Sequence, residues 1–160
     1  LKDAEPLGLR RVGVGEFFGL NRVEAADGDD PFATALRSAA EAFAQTGAPL
    51  VGAACTAARD ELVGLLSAAP AARAVPVIRV AGGPVPLCDY LRTRVLEVVV
   101  HGDDVVSSVS GLHVPDPPAA AIAVSLEVCL ELARARVGDL ETLRAFTRAE
   151  RTTPEALRVL

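Results

Sequence analysis

Apolar and polar positions along this chain alternate mainly with the period of a helix. From Phe32 to Gln45, apolar residues at Phe32, Leu36, Ala39, Ala40 and Phe43 recur every three or four positions. Asp30 followed by Pro31 reads as an N-cap with proline at the first helical position, and Gly47 with Pro49 reads as a stop. Thr56 is placed to cap a further helix running through Leu62, Val63 and Leu66 to Pro70. Upstream, Val14–Ala26 predicts a short helix, ended by the Gly/Asp-rich stretch from Asp27 to Pro31. Ala74–Val80 has extended character, and Gly82-Gly83-Pro84 turns the chain. A long helix is then predicted from Leu87 to Ser110, ending at Gly111. Pro115, Pro117 and Pro118 stiffen the next link, a helix follows over Pro118–Val137, and a last one starts near Asp139. The β-branched run Val98-Val99-Val100 would suit a strand, but the surrounding residues keep a helical period. The pattern therefore predicts an all-α fold, an up-and-down bundle of four main helices with one short extended excursion.

The long helix carries the chain's most informative chemistry. Arg94, Glu97, His101 and Asp104 follow one another at intervals of three, four and three, which places them along one helix face among Val and Leu neighbours. A polar row buried in such a helix is costly unless its members satisfy one another or hold an ion. Glu97 and His101 lie one turn apart, so a carboxylate and an imidazole can converge on one divalent metal. Asp104 is placed to orient the imidazole, and Arg94 to brace Glu97 or to bind an anionic substrate group. The same spacing also fits a plain surface pair, or a core histidine satisfied by a carboxylate.

Composition narrows the field. At 160 residues, with 51% hydrophobic residues and a mean hydropathy of +0.34, the chain has the makings of a core and reads as one domain over 1–160. Aromatics make up only 4% and Trp is absent, which argues against a stacking platform for single-stranded nucleic acid. Net charge is −5, with no run of Lys or Arg, so a basic nucleic-acid footprint is excluded as well. No apolar run reaches the length of a membrane span. Cys55, Cys88 and Cys129 are scattered among Ala, Val and Leu, a pattern expected of buried, reduced thiols in a cytoplasmic protein. Met is absent even at position 1, and the expectation is a chain lacking residues upstream.

Other candidates are weaker. Cys88 lies near the start of the long helix, where the dipole favours a thiolate, but Leu87 and Tyr90 beside it favour core packing. His113 falls in a loop bounded by Gly and Pro and reads as solvated. Gly82-Gly83 lacks the spacing and lysine of a phosphate loop, and Asp27–Asp30 lacks calcium-loop spacing.

The segment from Asp89 to Val105 resembles the signature of the mycothiol-dependent maleylpyruvate isomerase family, a branch of the DinB-like metal-binding four-helix bundles common in actinobacteria. The pattern Leu-x-x-Arg-x-x-Glu-x-x-x-His-x-x-Asp, followed by an aliphatic residue, falls on Leu91, Arg94, Glu97, His101, Asp104 and Val105. A looser resemblance extends from Val14 to Leu160. It implies a DinB-like bundle whose core holds a divalent metal, zinc by preference, on Glu97, His101 and a further His from an earlier helix. It also implies isomerase or thiol-transferase chemistry, with mycothiol or an acidic small molecule at the open metal position. This sequence departs from the pattern in one respect. No His precedes His101, and the family's position falls near Leu20 or Asn21, neither a good zinc ligand. Part of the family's opening helix is missing too. Two readings follow: a metal-binding relative of these enzymes, or a non-catalytic bundle that keeps the polar row and acts through protein contacts.

Overall fold

A computed structural model describes residues 10–22, 31–77, 83–148 and 150. The architecture is all-α. The described residues form α1 (Val14–Arg22), α2 (Pro31–Ala44), α3 (Ala48–Ala68), α4 (Leu87–Ser108), α5 (Ala119–Val137) and α6 (Asp139–Thr147). The four long helices α2 to α5 are the four main helices that the apolar pattern predicts. The extended excursion is a ladder of two-residue strands, β1 (Ala74–Val75) and β2 (Val85–Pro86), paired antiparallel with Ala74 opposite Pro86 and Val75 opposite Val85.

Two boundaries differ from expectation. Thr56 does not start a helix; it lies inside α3, which begins at Ala48 with proline in its first turn. Pro49 starts α3 rather than stopping α2, because a proline in a first turn forfeits no helical hydrogen bond. Gly47, at φ 94°, makes the tight link between α2 and α3. The expected cluster at Asp27–Asp30 and the tail of the extended stretch, 78–80, lie outside the described residues.

The core is built where α1, α4 and α5 meet. Val14, Leu96, Val128, Leu132 and Ala133 form one buried cluster, with Phe18, Val100 and Cys129 packed against it. Val12, Phe17 and Val85 form a second, joined by Phe18, Val77 and Tyr90. Each side chain of this size stabilises by about 1.5–3 kcal/mol when fully buried. Three buried hydroxyls sit within this apolar setting without penalty. Thr93 donates to the Tyr90 carbonyl at 2.7 Å, Ser125 to Ala121 at 2.9 Å and Thr142 to Gly138 at 2.8 Å. Across the α4–α5 seam, Arg92 reaches Glu131 at 3.1 Å.

The start of α4 is held from outside the helix. Its N-cap is Pro86, which offers no side-chain cap, so the first amides need other acceptors. The Leu87 amide donates to the Arg73 carbonyl at 2.7 Å and the Cys88 amide to Ala71 at 2.9 Å. The chain entering α1 is tied to the same corner, since the Val12 amide donates to the Pro84 carbonyl at 3.0 Å. By contrast α2 and α3 pack on each other, and neither makes more than marginal contact with the other helices. No residue of α3 is buried.

Gly83 is the tightest point of the corner. Its φ is +129°, and a Cβ there would run into the Arg10 carbonyl oxygen. Gly83→Ala is therefore expected to destabilise by at least about 1–3 kcal/mol. A lower urea midpoint with unchanged m checks this, and an unchanged midpoint would refute the close approach.

Candidate metal centre

The rotation of α4 decides what its polar row faces. Thr93 and Leu96 are buried against α5 and α1, and Val100 leans on the same core. At about 100° per residue this turns Arg94, Val98, His101 and Val105 towards solvent and leaves Glu97 at the boundary. The side-chain exposures agree: Glu97 34%, Arg94 41%, Asp104 64% and His101 70%. The row was expected inside the bundle. It lies instead on an open face, because α2 and α3 do not cover α4.

On that face the four residues do meet. His101 sits between two carboxylates, with Nε2 3.1 Å from Glu97 Oε2 and Nδ1 3.1 Å from Asp104 Oδ2. Arg94 Nη2 lies 3.8 Å from Glu97 Oε1, and Arg94 Nε donates to Thr93 Oγ1 at 3.2 Å. The guanidinium stands over two rings, 5.7 Å from the centroid of Phe17 and 5.2 Å from that of Tyr90. Those rings meet edge to face at 6.4 Å. Tyr90 is legible in sequence, four residues before Arg94 on the same helix. Phe17 is not, because it comes from α1 and only folding brings it there.

The carboxylates set the charge of the imidazole. The hydrogen bond to Asp104 raises the His101 pKa, desolvation opposes it, and the charges of Glu97 and Asp104 add to the rise. In the imidazolium form both ring nitrogens donate, one to each carboxylate. With Nδ1 held by Asp104, Nε2 is the nitrogen free to exchange its proton for a metal, and Glu97 Oε2 is the oxygen beside it.

The donors suit a divalent cation in kind, one imidazole nitrogen and one carboxylate oxygen. They fall short in number, since a catalytic zinc keeps three protein ligands. Among the described residues no group of three His, Cys, Asp or Glu gathers around one point. The side chains of Leu20 and Asn21, where the earlier ligand was sought, lie outside the described residues. His113 is exposed in the loop after α4.

The profile of the mycothiol maleylpyruvate isomerase N-terminal domain matches residues 17–106, more than half of the chain. The chain belongs to this family. The match spans α1 to α4 almost entire, including Arg94, Glu97, His101 and Asp104, and the all-α architecture agrees with a DinB-like domain. It ties the chain to a mycothiol-related, metal-binding lineage without assigning ligands. No match was found among curated proteins or solved structures. No described helix is long and apolar enough to cross a membrane.

The cysteines correct the sequence reading. Cys55 and Cys88 are exposed, and only Cys129 is partly buried, where desolvation raises its pKa. The apolar surroundings of Cys55 in sequence do not become a core, because α3 buries nothing. Cys88 has its sulfur 3.9 Å from Asp89 Oδ1. A thiol reagent applied to the native protein is expected to modify Cys55 and Cys88 well before Cys129; equal rates at all three would contradict the packing of α5.

His101 offers a second check. Its folded pKa lies above the unfolded value of 6.5. The clamp's contribution to stability is thus complete below about pH 6.5 and fades as pH rises through the raised value. Solvent screening keeps that contribution small. In an NMR titration, Asp104→Asn should lower the His101 pKa; an unmoved value would show that Asp104 does not hold the ring.

Proposed function

We propose that this domain binds a divalent metal, zinc by preference, through Glu97 and His101. Its remaining coordination positions take a thiolate such as mycothiol or an acidic small molecule. The observation that carries the reading is the convergence of Glu97 Oε2 and His101 Nε2 at 3.1 Å, with Asp104 fixing the other ring nitrogen. A bound divalent metal would supply Lewis acidity and hold a thiol deprotonated near neutral pH. The chain's own residues orient and select. Asp104 keeps the imidazole in the tautomer that presents Nε2. Arg94, seated over Phe17 and Tyr90 beside Glu97, presents a cation to an incoming carboxylate or other anion. Isomerisation or thiol transfer is the chemistry that such a site would serve.

A second reading is supported by the count of donors. Among the described residues only two converge, and both imidazole nitrogens already have carboxylate partners. On this reading the row is a polar network on a non-catalytic bundle that works through protein contacts.

Calorimetry with zinc chloride on the untagged chain separates the two. Wild type is expected to bind, with affinity falling about 10-fold or more in Asp104→Asn and beyond detection in His101→Ala and Glu97→Gln. His101 and Asp104 face solvent and Glu97 lies at the rim, where glutamine keeps its size, so these variants should fold. Equal zinc binding by all four proteins would refute the assignment, and absence of binding by wild type would leave the polar-network reading.

A further inference from the structure

Arg10, Arg59, Arg92, Arg134 and Arg144 each hydrogen-bond a carboxylate, on Glu16, Asp60, Glu131, Asp139 and Glu141 in turn. Arg94 bonds none among the described residues. Glu97 Oε1 stands off at 3.8 Å from Arg94 Nη2, although Glu97 is three residues away, the separation at which Arg144 does reach Glu141.

The guanidinium is held from its other side. Arg94 Nε donates to Thr93 Oγ1 at 3.2 Å, and that hydroxyl is buried and fixed by its own bond to the Tyr90 carbonyl. The central carbon of the guanidinium lies 5.2 Å from the Tyr90 centroid and 5.7 Å from that of Phe17, within cation–π range of both. Phe17 is itself anchored. It is buried in α1, with Phe18 edge-on at 5.3 Å and Tyr90 at 6.4 Å. The two terminal amino groups of Arg94 are left without a hydrogen-bond acceptor among the described residues.

We infer that Arg94 binds the carboxylate of a small organic acid through this open fork without help from a metal, and that Phe17 and Tyr90 are the positioning residues that keep the fork open. The inference builds on the anion-binding part given to Arg94 above, and it stands without the metal. Two parallel N–H groups match the two oxygens of a planar carboxylate. The surroundings select for a single charge. Glu97 stands beside the fork, Asp103 and Asp104 follow on the same helix, and the chain carries a net charge of −5, so a doubly charged phosphate is repelled more strongly than a carboxylate. Val98, one turn further on and 74% exposed, leans back towards Arg94 as helical side chains do, and offers an apolar surface to the body of the acid. The ligand is therefore a monocarboxylate with a short apolar body.

Titration of the whole chain with sodium butyrate in EDTA, at constant ionic strength and above neutral pH, tests this by NMR at the Arg94 Nε–H and the Val98 methyls. Saturable shifts at both are expected, with sodium phosphate binding more weakly. Arg94→Lys keeps the charge and loses the fork, and should weaken butyrate binding about tenfold or more. Tyr90→Leu should weaken it with unchanged circular dichroism, and Tyr90→Phe, which restores the ring, should recover it. A flat butyrate titration of wild type would overturn the inference, while zinc binding by Glu97 and His101 keeps its own calorimetric test. Undiminished binding in Arg94→Lys would overturn the fork, undiminished binding in Tyr90→Leu would overturn the positioning role, and tighter binding of phosphate would overturn the ligand class.

Discussion

Leu96 against Val128 and Leu132 is the contact on which the rest of this structure depends. It locks the rotation of α4 on α5, and Val14 of α1 closes the same cluster. Once Leu96 and Thr93 face inward, the 3.6-residue repeat leaves no freedom to the others. Arg94, Val98, His101 and Val105 must face away, and Glu97 must sit at the rim. The location of the polar row is thus a consequence of core packing, fixed by Leu96 and Thr93 beneath it.

The clamp on His101 shows how a surface site gains order without burial. Exposed ion pairs contribute little to stability, because solvent screens them and side-chain entropy opposes them. Their value here is geometric. Two carboxylates at 3.1 Å restrain the ring from both ends and define which nitrogen looks towards Glu97. Arg94 is restrained differently, by two aromatic faces and a buried threonine hydroxyl, so its charge is held beside the pair without consuming it. In a chain with few aromatics, placing two rings at this point concentrates rigidity next to the polar row.

The α2–α3 hairpin is the other distinctive feature. Its helices carry Leu36, Phe43, Leu50, Leu62 and Val63 at 43–62% exposure. Apolar periodicity of this kind forms helices and pairs them, but it does not name the surface that a pair will cover. With the hairpin turned aside, the face of α4 is left for an exogenous ligand or another protein surface. Exposed Val98 and Val105 and the Glu97–His101 pair occur together on that one helix.

The helical class, the four long elements, the short extended link and the row from Arg94 to Asp104 follow from the sequence alone. They are governed by periodicities of three and four residues, which are local, and so is the family pattern that carries Glu97 and His101. Pro49 shows the limit of such reading even locally, since a proline suits both the end of one helix and the first turn of the next, and the neighbouring Gly47 left the choice open. What the sequence did not determine is which apolar residues become a core. Val98 and Leu96 are alike in character and two positions apart, yet one is 74% exposed and the other buried. Cys55 and Cys129 have similar neighbours in sequence and different environments in space. The reason is physical: burial depends on contacts between segments far apart in the chain. Only the packing of α1 and α5 on one side of α4, and of neither α2 nor α3 on the other, decided that the polar row would face outward.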